Sequence, residues 1–235
     1  MGLKEDLERE VAQIFTPSTS WSERDGQKVP EPEDLKLGNE AVKLDATVLY
    51  ADMSESTKLV DGYRPWFAAE VYKAYLTCAA RLVREHGGTI TAYDGDRIMA
   101  VFIGDYKNSS AASAALKLNY AVLNIINPVM TSKFSDVTFR LSHVVGIDAS
   151  PLFAAKIGIR KYNDLVWVGR AANYATKMAG IKNPNKVFVT DAVFQKLSDD
   201  AKLSNPSRQL MWEPCDWKEM NNMRQIGRAS CRERV

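Results

Sequence analysis

Val42-Lys43-Leu44-Asp45-Ala46-Thr47-Val48-Leu49-Tyr50-Ala51 breaks off into Asp52-Met53-Ser54-Glu55-Ser56-Thr57. The first run is rich in β-branched and aromatic residues and reads as a strand, and the polar run after it reads as the strand's exit. Asp52 therefore stands where the strand ends. Further on, Asp94-Gly95 joins two short apolar runs, Thr89 to Tyr93 and Arg97 to Ile103. Asp-Gly suits a tight hairpin because both central positions can take φ > 0, so these runs are read as paired strands with Asp96 at the start of the second.

Between these segments, apolar positions recur every three or four residues from Trp66 to Glu85, and His86-Gly87-Gly88 closes the helix they predict. An alanine-rich helix is expected from about Asn108 to Ile126, stopping before Pro128. An antiparallel pair follows, Val137 to Asp148 and Leu152 to Ile159, joined at Ala149-Ser150-Pro151, then a helix from Ala171 to Met178 and a strand from Lys186 to Thr190. The order strand–helix–strand–strand–helix–strand predicts an α+β fold, a ferredoxin-like βαββαβ core with helices packed on an antiparallel sheet. In that topology the first strand lies beside the third and antiparallel to it, so Asp52 and Asp96, far apart in sequence, reach one edge of one sheet.

Residues 1–41 read as a short amphipathic helix, Leu3, Leu7, Val11 and Ile14 lying at helical spacing, and a polar linker with Pro17, Pro30 and Pro32. Residues 42–213 read as the main domain and 214–235 as a tail, whose end, Gly227 to Val235, is set aside as a processing or assembly scar. Thirty-one basic against 29 acidic residues, with no long basic run, give no reason to expect nucleic acid as a partner. No window approaches the ~20 apolar residues of a membrane span, and the charged start does not resemble a signal peptide. Three cysteines without disulfide or zinc spacing fit a reducing cytoplasm.

Two adjacent carboxylates repel unless a cation lies between them. Mg²⁺ or Mn²⁺ takes one or two carboxylates together with substrate phosphates, so Asp52 and Asp96 suit a nucleoside triphosphate, with two ions dividing the work on attacking and leaving oxygens. The backbone N–H groups of Ser54, Glu55, Ser56 and Thr57 could cradle the phosphates. Taken singly, each Asp is an ordinary turn residue.

Leu49 to Thr57 resembles the first metal segment of class III adenylate and guanylate cyclases, and Gly95-Asp96-Arg97-Ile98-Met99-Ala100-Val101-Phe102 resembles the second. Val168-Gly169-Arg170-Ala171-Ala172-Asn173-Tyr174-Ala175-Thr176-Lys177 resembles the family's transition-state segment. The resemblance implies that Asp52, Met53 and Asp96 form the metal set, with two divalent ions per site. It implies that Asn173 and Lys177 stabilise the transition state from the partner chain of a homodimer, and that Lys186 binds phosphate. Lys177 stands where the family usually has Arg, and a lysine lacks the bidentate fork. As an alternative, Asn173 and Lys177 form a polar helix face.

At the positions where purine cyclases of this family place their base readers, this chain has Ala92 and Val166. A site that does not pair the base edge cannot discriminate strongly by that route. Tyr50 would add bulk and a hydroxyl, favouring a smaller base, and Arg97 is a candidate base or phosphate contact. In this the chain resembles the pyrimidine cyclases of bacterial Pycsar anti-phage systems. That likeness implies cyclisation of UTP to 3′,5′-cyclic UMP and pyrophosphate, the product activating a separate effector. The alternatives left open are a cytidylate cyclase, an adenylate or guanylate cyclase, and an inactive nucleotide-binding homologue.

Overall fold

The structure is a computed structural model and describes residues 2–15, 17, 20–159, 162–183, 186–217 and 223–229. Along the strand that carries Asp52, burial alternates with the two-residue period of a pleated sheet: Leu49, Ala51 and Met53 are buried, while Tyr50, Asp52 and Ser54 are half-exposed. That alternation decides which side chains belong to the core and which to the site.

In chain order the elements are α1 (Leu3–Ile14), β1 (Ser22–Asp25), a 3₁₀ turn at Pro32–Asp34, β2 (Glu40–Ser54), α2 (Ser56–Gly62), α3 (Pro65–Glu85), β3 (Thr89–Asp94) and β4 (Arg97–Phe102). There follow α4 (Lys107–Ala121), a π-helical turn (Val122–Ile126), α5 (Asn127–Lys133), β5 (Ser142–Ile159), β6 (Tyr162–Val168), α6 (Arg170–Ala179) and β7 (Lys186–Thr190). The last elements are α7 (Asp191–Phe194), α8 (Asp199–Lys202), β8 (Trp212–Trp217) and β9 (Met223–Ala229). The sheet order is β3-β4-β2-β5-β7-β9-β8, with β1 beside β2 and β6 beside β5. Its first four members carry the ferredoxin-like arrangement expected from sequence, and β2 and β4 are antiparallel neighbours.

Two compact units divide the chain, at other places than the sequence boundaries at 41 and 213. The smaller comprises residues 1–44 and 153–168. In it β1 runs parallel to the first residues of β2, the last residues of β5 pair with β6, and α1 has no buried residue. The larger comprises residues 45–152 and 169–235. One face of its sheet, with Leu49, Ala51, Ile98, Ala100, Phe102, Val145, Ile147, Val187 and Val189, packs on Val71, Tyr75 and Ala79 of α3 and Ala111, Ala115 and Leu118 of α4. Each large apolar side chain so buried contributes about 1.5–3 kcal/mol. On the opposite face Val144 and Phe188 pack with Met178 of α6 and Trp217.

Several expectations are corrected. β2 continues past Ala51 to Ser54, because the ladder with β4 extends to Asp52 opposite Arg97. The hairpin's loop is Gly95-Asp96, and of the two only Gly95 takes a positive φ, 60°. Pro128 does not end the helix before it. The chain changes to π-helical pairing over Val122–Ile126, and Pro128 sits in the first turn of α5, where its missing N–H costs least.

The two strands expected at 137–148 and 152–159 are one, β5, which starts only at Ser142. Pro151 lies between its ladder with β7 (Val144 to Ile147) and its ladder with β6 (Phe153 to Ile159), so neither needs the proline's missing N–H. Residues 214–217 and 223–229 are not a plain tail: β8 and β9 pair antiparallel, and β9, which includes Gly227, pairs with β7.

Candidate active site

Cross-strand register brings the first site residues together. Asp52 of β2 faces Arg97 of β4, and Arg97 donates from Nε to Asp52 Oδ1 at 3.1 Å. Because Ile98, Ala100 and Phe102 point into the core, Arg97 points to the other face, the one that carries Tyr50 and Asp52. The Asp52 side chain is 19% exposed against 46% for Arg97. Burial raises the Asp52 pKa above the ordinary carboxylate value; Arg97 offsets part of this, and the negative charges of Asp96 and Asp94 add to it. Arg97 is raised in turn, chiefly by the Asp52 charge. The Tyr50 phenol is raised by burial, and its hydroxyl is within reach of Arg97.

The chain leaves β2 through a left-handed residue, Glu55 (φ 61°), and enters α2. Glu55 is turned toward Lys58, 2.5 Å away. Met53 is only 4% exposed and its side chain belongs to the core, so it is no side-chain ligand. Ser56 is half-buried and Thr57 is exposed.

Three participants escaped the sequence reading. Tyr72 of α3 reaches the hydroxyl of Ser56, and its phenol is raised by burial and by Asp96. Tyr75, one turn on, is fully buried beneath both carboxylates, whose charges add to the burial that raises it. Asp94 closes the hairpin on Arg97 as its cross-strand partner. The signal available for the tyrosines was their i, i+3 placement on the sheet-facing side of the helix that follows the Asp52 segment.

The other predicted residues stand elsewhere. Asn173 and Lys177 lie one turn apart on the exposed face of α6, while Ala171, Ala172, Ala175, Met178 and Ala179 are buried. Lys186 is half-buried at the start of β7, opposite Val144. In the sheet order β7 is two strands from β2, about 10 Å at normal strand spacing. Ala92 is exposed on β3 opposite Met99, and Val166 is half-buried on β6 opposite Ala155. One group of residues thus gathers acids beside the left-handed turn at Glu55, and a second presents an amide and two ammonium groups.

The acidic group fits a hard divalent cation. Among the described residues no cluster of three or more His, Cys, Asp or Glu side chains could hold a metal by protein ligands alone. A half-buried carboxylate that is hard to ionise beside a second one is the environment a cation relieves, and Mg²⁺ and Mn²⁺ complete such a pair with phosphate oxygens.

Residues 40–212 match the family described as the adenylate and guanylate cyclase catalytic domain. The chain is 47% identical, over 236 residues and all of both chains, to a uridylate cyclase of Xanthomonas perforans. It is 48% identical, over 94% of both chains, to a uridylate cyclase of Burkholderia cepacia. Among solved structures, the adenylyl cyclase CyaB from P. aeruginosa shares the fold with a TM-score of 0.67 at 17% identity, covering 83% of this chain and 98% of that one. An antiparallel β2–β4 pair that places Asp52 beside the Asp96 hairpin, in a chain with these relatives, has one assignment: the protein belongs to the class III nucleotide cyclase family.

Proposed function

We propose that this cyclase converts UTP to 3′,5′-cyclic UMP and pyrophosphate at sites completed by two copies of the chain. The observation that carries the choice of base is the near-full-length identity to two uridylate cyclases. Ala92 and Val166 support it, since neither can pair a purine edge, and so does Tyr50, whose phenol lies beside Arg97 on the site face.

The 3′-hydroxyl oxygen attacks the α-phosphorus, the O3′–Pα bond forms, and the bond from Pα to the bridging oxygen breaks as pyrophosphate leaves. The substrate's own phosphate oxygens take the hydroxyl proton. Asp52, Asp96 and the Met53 carbonyl would hold Mg²⁺ or Mn²⁺, which when bound would supply neutralisation of the charge on the phosphate oxygens. The turn at Glu55 and the N–H groups opening α2 receive phosphate oxygens, and Arg97 and Tyr50 contact the base or phosphates. Asn173 and Lys177 of the second copy stabilise the charge that grows on the phosphoryl group, and Lys186 binds phosphate. Their place on an exposed helix face, apart from the carboxylates, supports a site made from two chains. In this reading the product is a second messenger in cytoplasmic anti-phage defence, read by a separate effector. No helix among the described residues is long and apolar enough to cross a membrane.

The test is incubation of the purified protein with Mn²⁺ and each of ATP, GTP, CTP and UTP, with Asp52→Ala as control and mass spectrometry of products. Cyclic UMP lost in the variant supports the reading. Cyclic CMP or a cyclic purine as main product overturns the base assignment, and no product from any of the four overturns catalysis by this chain alone.

A further inference from the structure

Arg170 opens α6, where the helix dipole favours an acid rather than a cation. Its placement is explained by Asp148 of β5, a carboxylate with no solvent exposure. Arg170 donates to it from Nε at 3.0 Å and from Nη2 at 3.3 Å, and Nη2 also reaches the Ala149 carbonyl at 2.7 Å. The Thr190 hydroxyl of β7 donates to the same carboxylate at 2.5 Å. The Arg170 guanidinium lies 5.5 Å from the centre of the Tyr174 ring, which packs edge-on against Trp217 of β8. Beside it, the Ala171 N–H donates to the Ser150 hydroxyl at 3.0 Å.

Two glycines set α6 directly on the strand. A Cβ at Gly146 would stand 2.2 Å from the Ala175 carbonyl oxygen, and one at Gly169 would stand 2.7 Å from the Pro151 carbonyl oxygen. The helix that presents Asn173 and Lys177 is therefore clamped to β5, β7 and β8 through one buried carboxylate and one forked cation. A buried ion pair adds little net stability, but it fixes geometry, and a forked contact to two acceptors is one that lysine cannot reproduce.

We infer that Arg170, held by Asp148, is a positioning residue that sets the angle at which α6 offers Asn173 and Lys177 to the reacting phosphate. This rests on the proposed role of those two residues. Its experiment is built on the two-chain site and uses the triphosphate that the wild-type protein cyclises. Small displacements of such groups cost up to about 100-fold, so Arg170→Lys is expected to lower kcat by about 10- to 100-fold. KM should change by less than about 3-fold, since the carboxylate half of the site is untouched. The melting temperature and far-UV circular dichroism should stay close to wild type.

Mixed subunits separate positioning from misfolding. Arg170→Ala mixed with Asp52→Ala should regain activity, because one of the two sites then combines an intact carboxylate half with an intact α6. Arg170→Ala mixed with Asn173→Ala should stay inactive, both lesions lying in the same half. Wild-type kcat in Arg170→Lys, or recovery with Asn173→Ala, overturns the inference. So does failure with Asp52→Ala when Asp52→Ala and Asn173→Ala complement each other. If that last pair does not complement, the two-chain reading falls, and the split between kcat and KM in Arg170→Lys then decides the inference alone.

Discussion

Arg97 and Asp52 are cross-strand partners joined at 3.1 Å, and the guanidinium opposes the burial and like charges that make the Asp52 carboxyl hard to ionise. Removing it with Arg97→Ala should raise the Asp52 pKa further, so the carboxylate proposed to bind metal is lost at a higher pH than in wild type. The acid limb of the pH–rate profile should move upward, and activity near pH 6 should fall by more than activity near pH 8. The stability loss should be about 1 kcal/mol or less, since the guanidinium is half in solvent. Paired pH–rate profiles check this, and an unmoved acid limb would show that Asp52 does not control it.

Tyr50 lies on the same face as Asp52 with its hydroxyl near Arg97. Tyr50→Phe keeps the ring and removes the polar handle, and the loss of one hydrogen bond of about 1.4 kcal/mol corresponds to roughly 10-fold in kcat/KM for UTP. Tyr50→Ala also removes the bulk and should narrow the preference for UTP over GTP. Competition assays with both triphosphates read the ratio, and an unchanged ratio in both variants would remove Tyr50 from base recognition.

The placement of Asp52 beside the Asp96 hairpin was legible because short-range signals encode it: a β-branched run ending at Asp52, an Asp-Gly turn before Asp96, and a helix between the two segments. Topology rules then made the two strands neighbours, as found. Pro128 and Pro151 misled because each lies inside a continuing element, at a π-to-α change in a helix and between the β7 and β6 ladders of one strand. Asp148 was illegible for another reason. A buried charged residue in a strand has no periodic signature, and its partner Arg170 is 22 positions away.

Gly146 tests how tightly α6 must sit on β5. With Ala175 backbone oxygen 2.2 Å and Met178 Cβ 2.7 Å from a modest added Cβ, Gly146→Ala must push the helix outward. Overpacking of this kind costs about 1–3 kcal/mol. Activity should fall further than that stability loss explains at a temperature where the variant stays folded, because Asn173 and Lys177 move with the helix. Circular dichroism melts and kcat measured on one preparation check this, and full activity in a destabilised variant would separate the helix from catalysis.

His143 is expected to limit the acid tolerance of the fold. It is fully buried, and its Nε2 lies 3.2 Å from Asn119 Oδ1, an oxygen that can only accept, so the ring proton is on Nε2. Nδ1 then accepts from the Tyr75 hydroxyl at 3.1 Å, and the ring is neutral. Burial lowers its pKa from 6.5 to about 3. With the folded pKa depressed, the neutral ring's contribution is complete above pH 6.5 and is lost as pH falls from 6.5 toward 3, because only the unfolded chain takes up the proton there. At 1.36 kcal/mol per unit the full loss is ~5 kcal/mol, of which ~3 kcal/mol has gone by pH 4.5. His143→Gln retains a donor for Asn119 and an acceptor for Tyr75 without the titration. It should be less stable than wild type at pH 7 by about 1–2 kcal/mol, yet lose less between pH 7 and 4.5. Urea unfolding of both proteins at the two pH values measures this, and equal losses would assign the acid sensitivity to other groups.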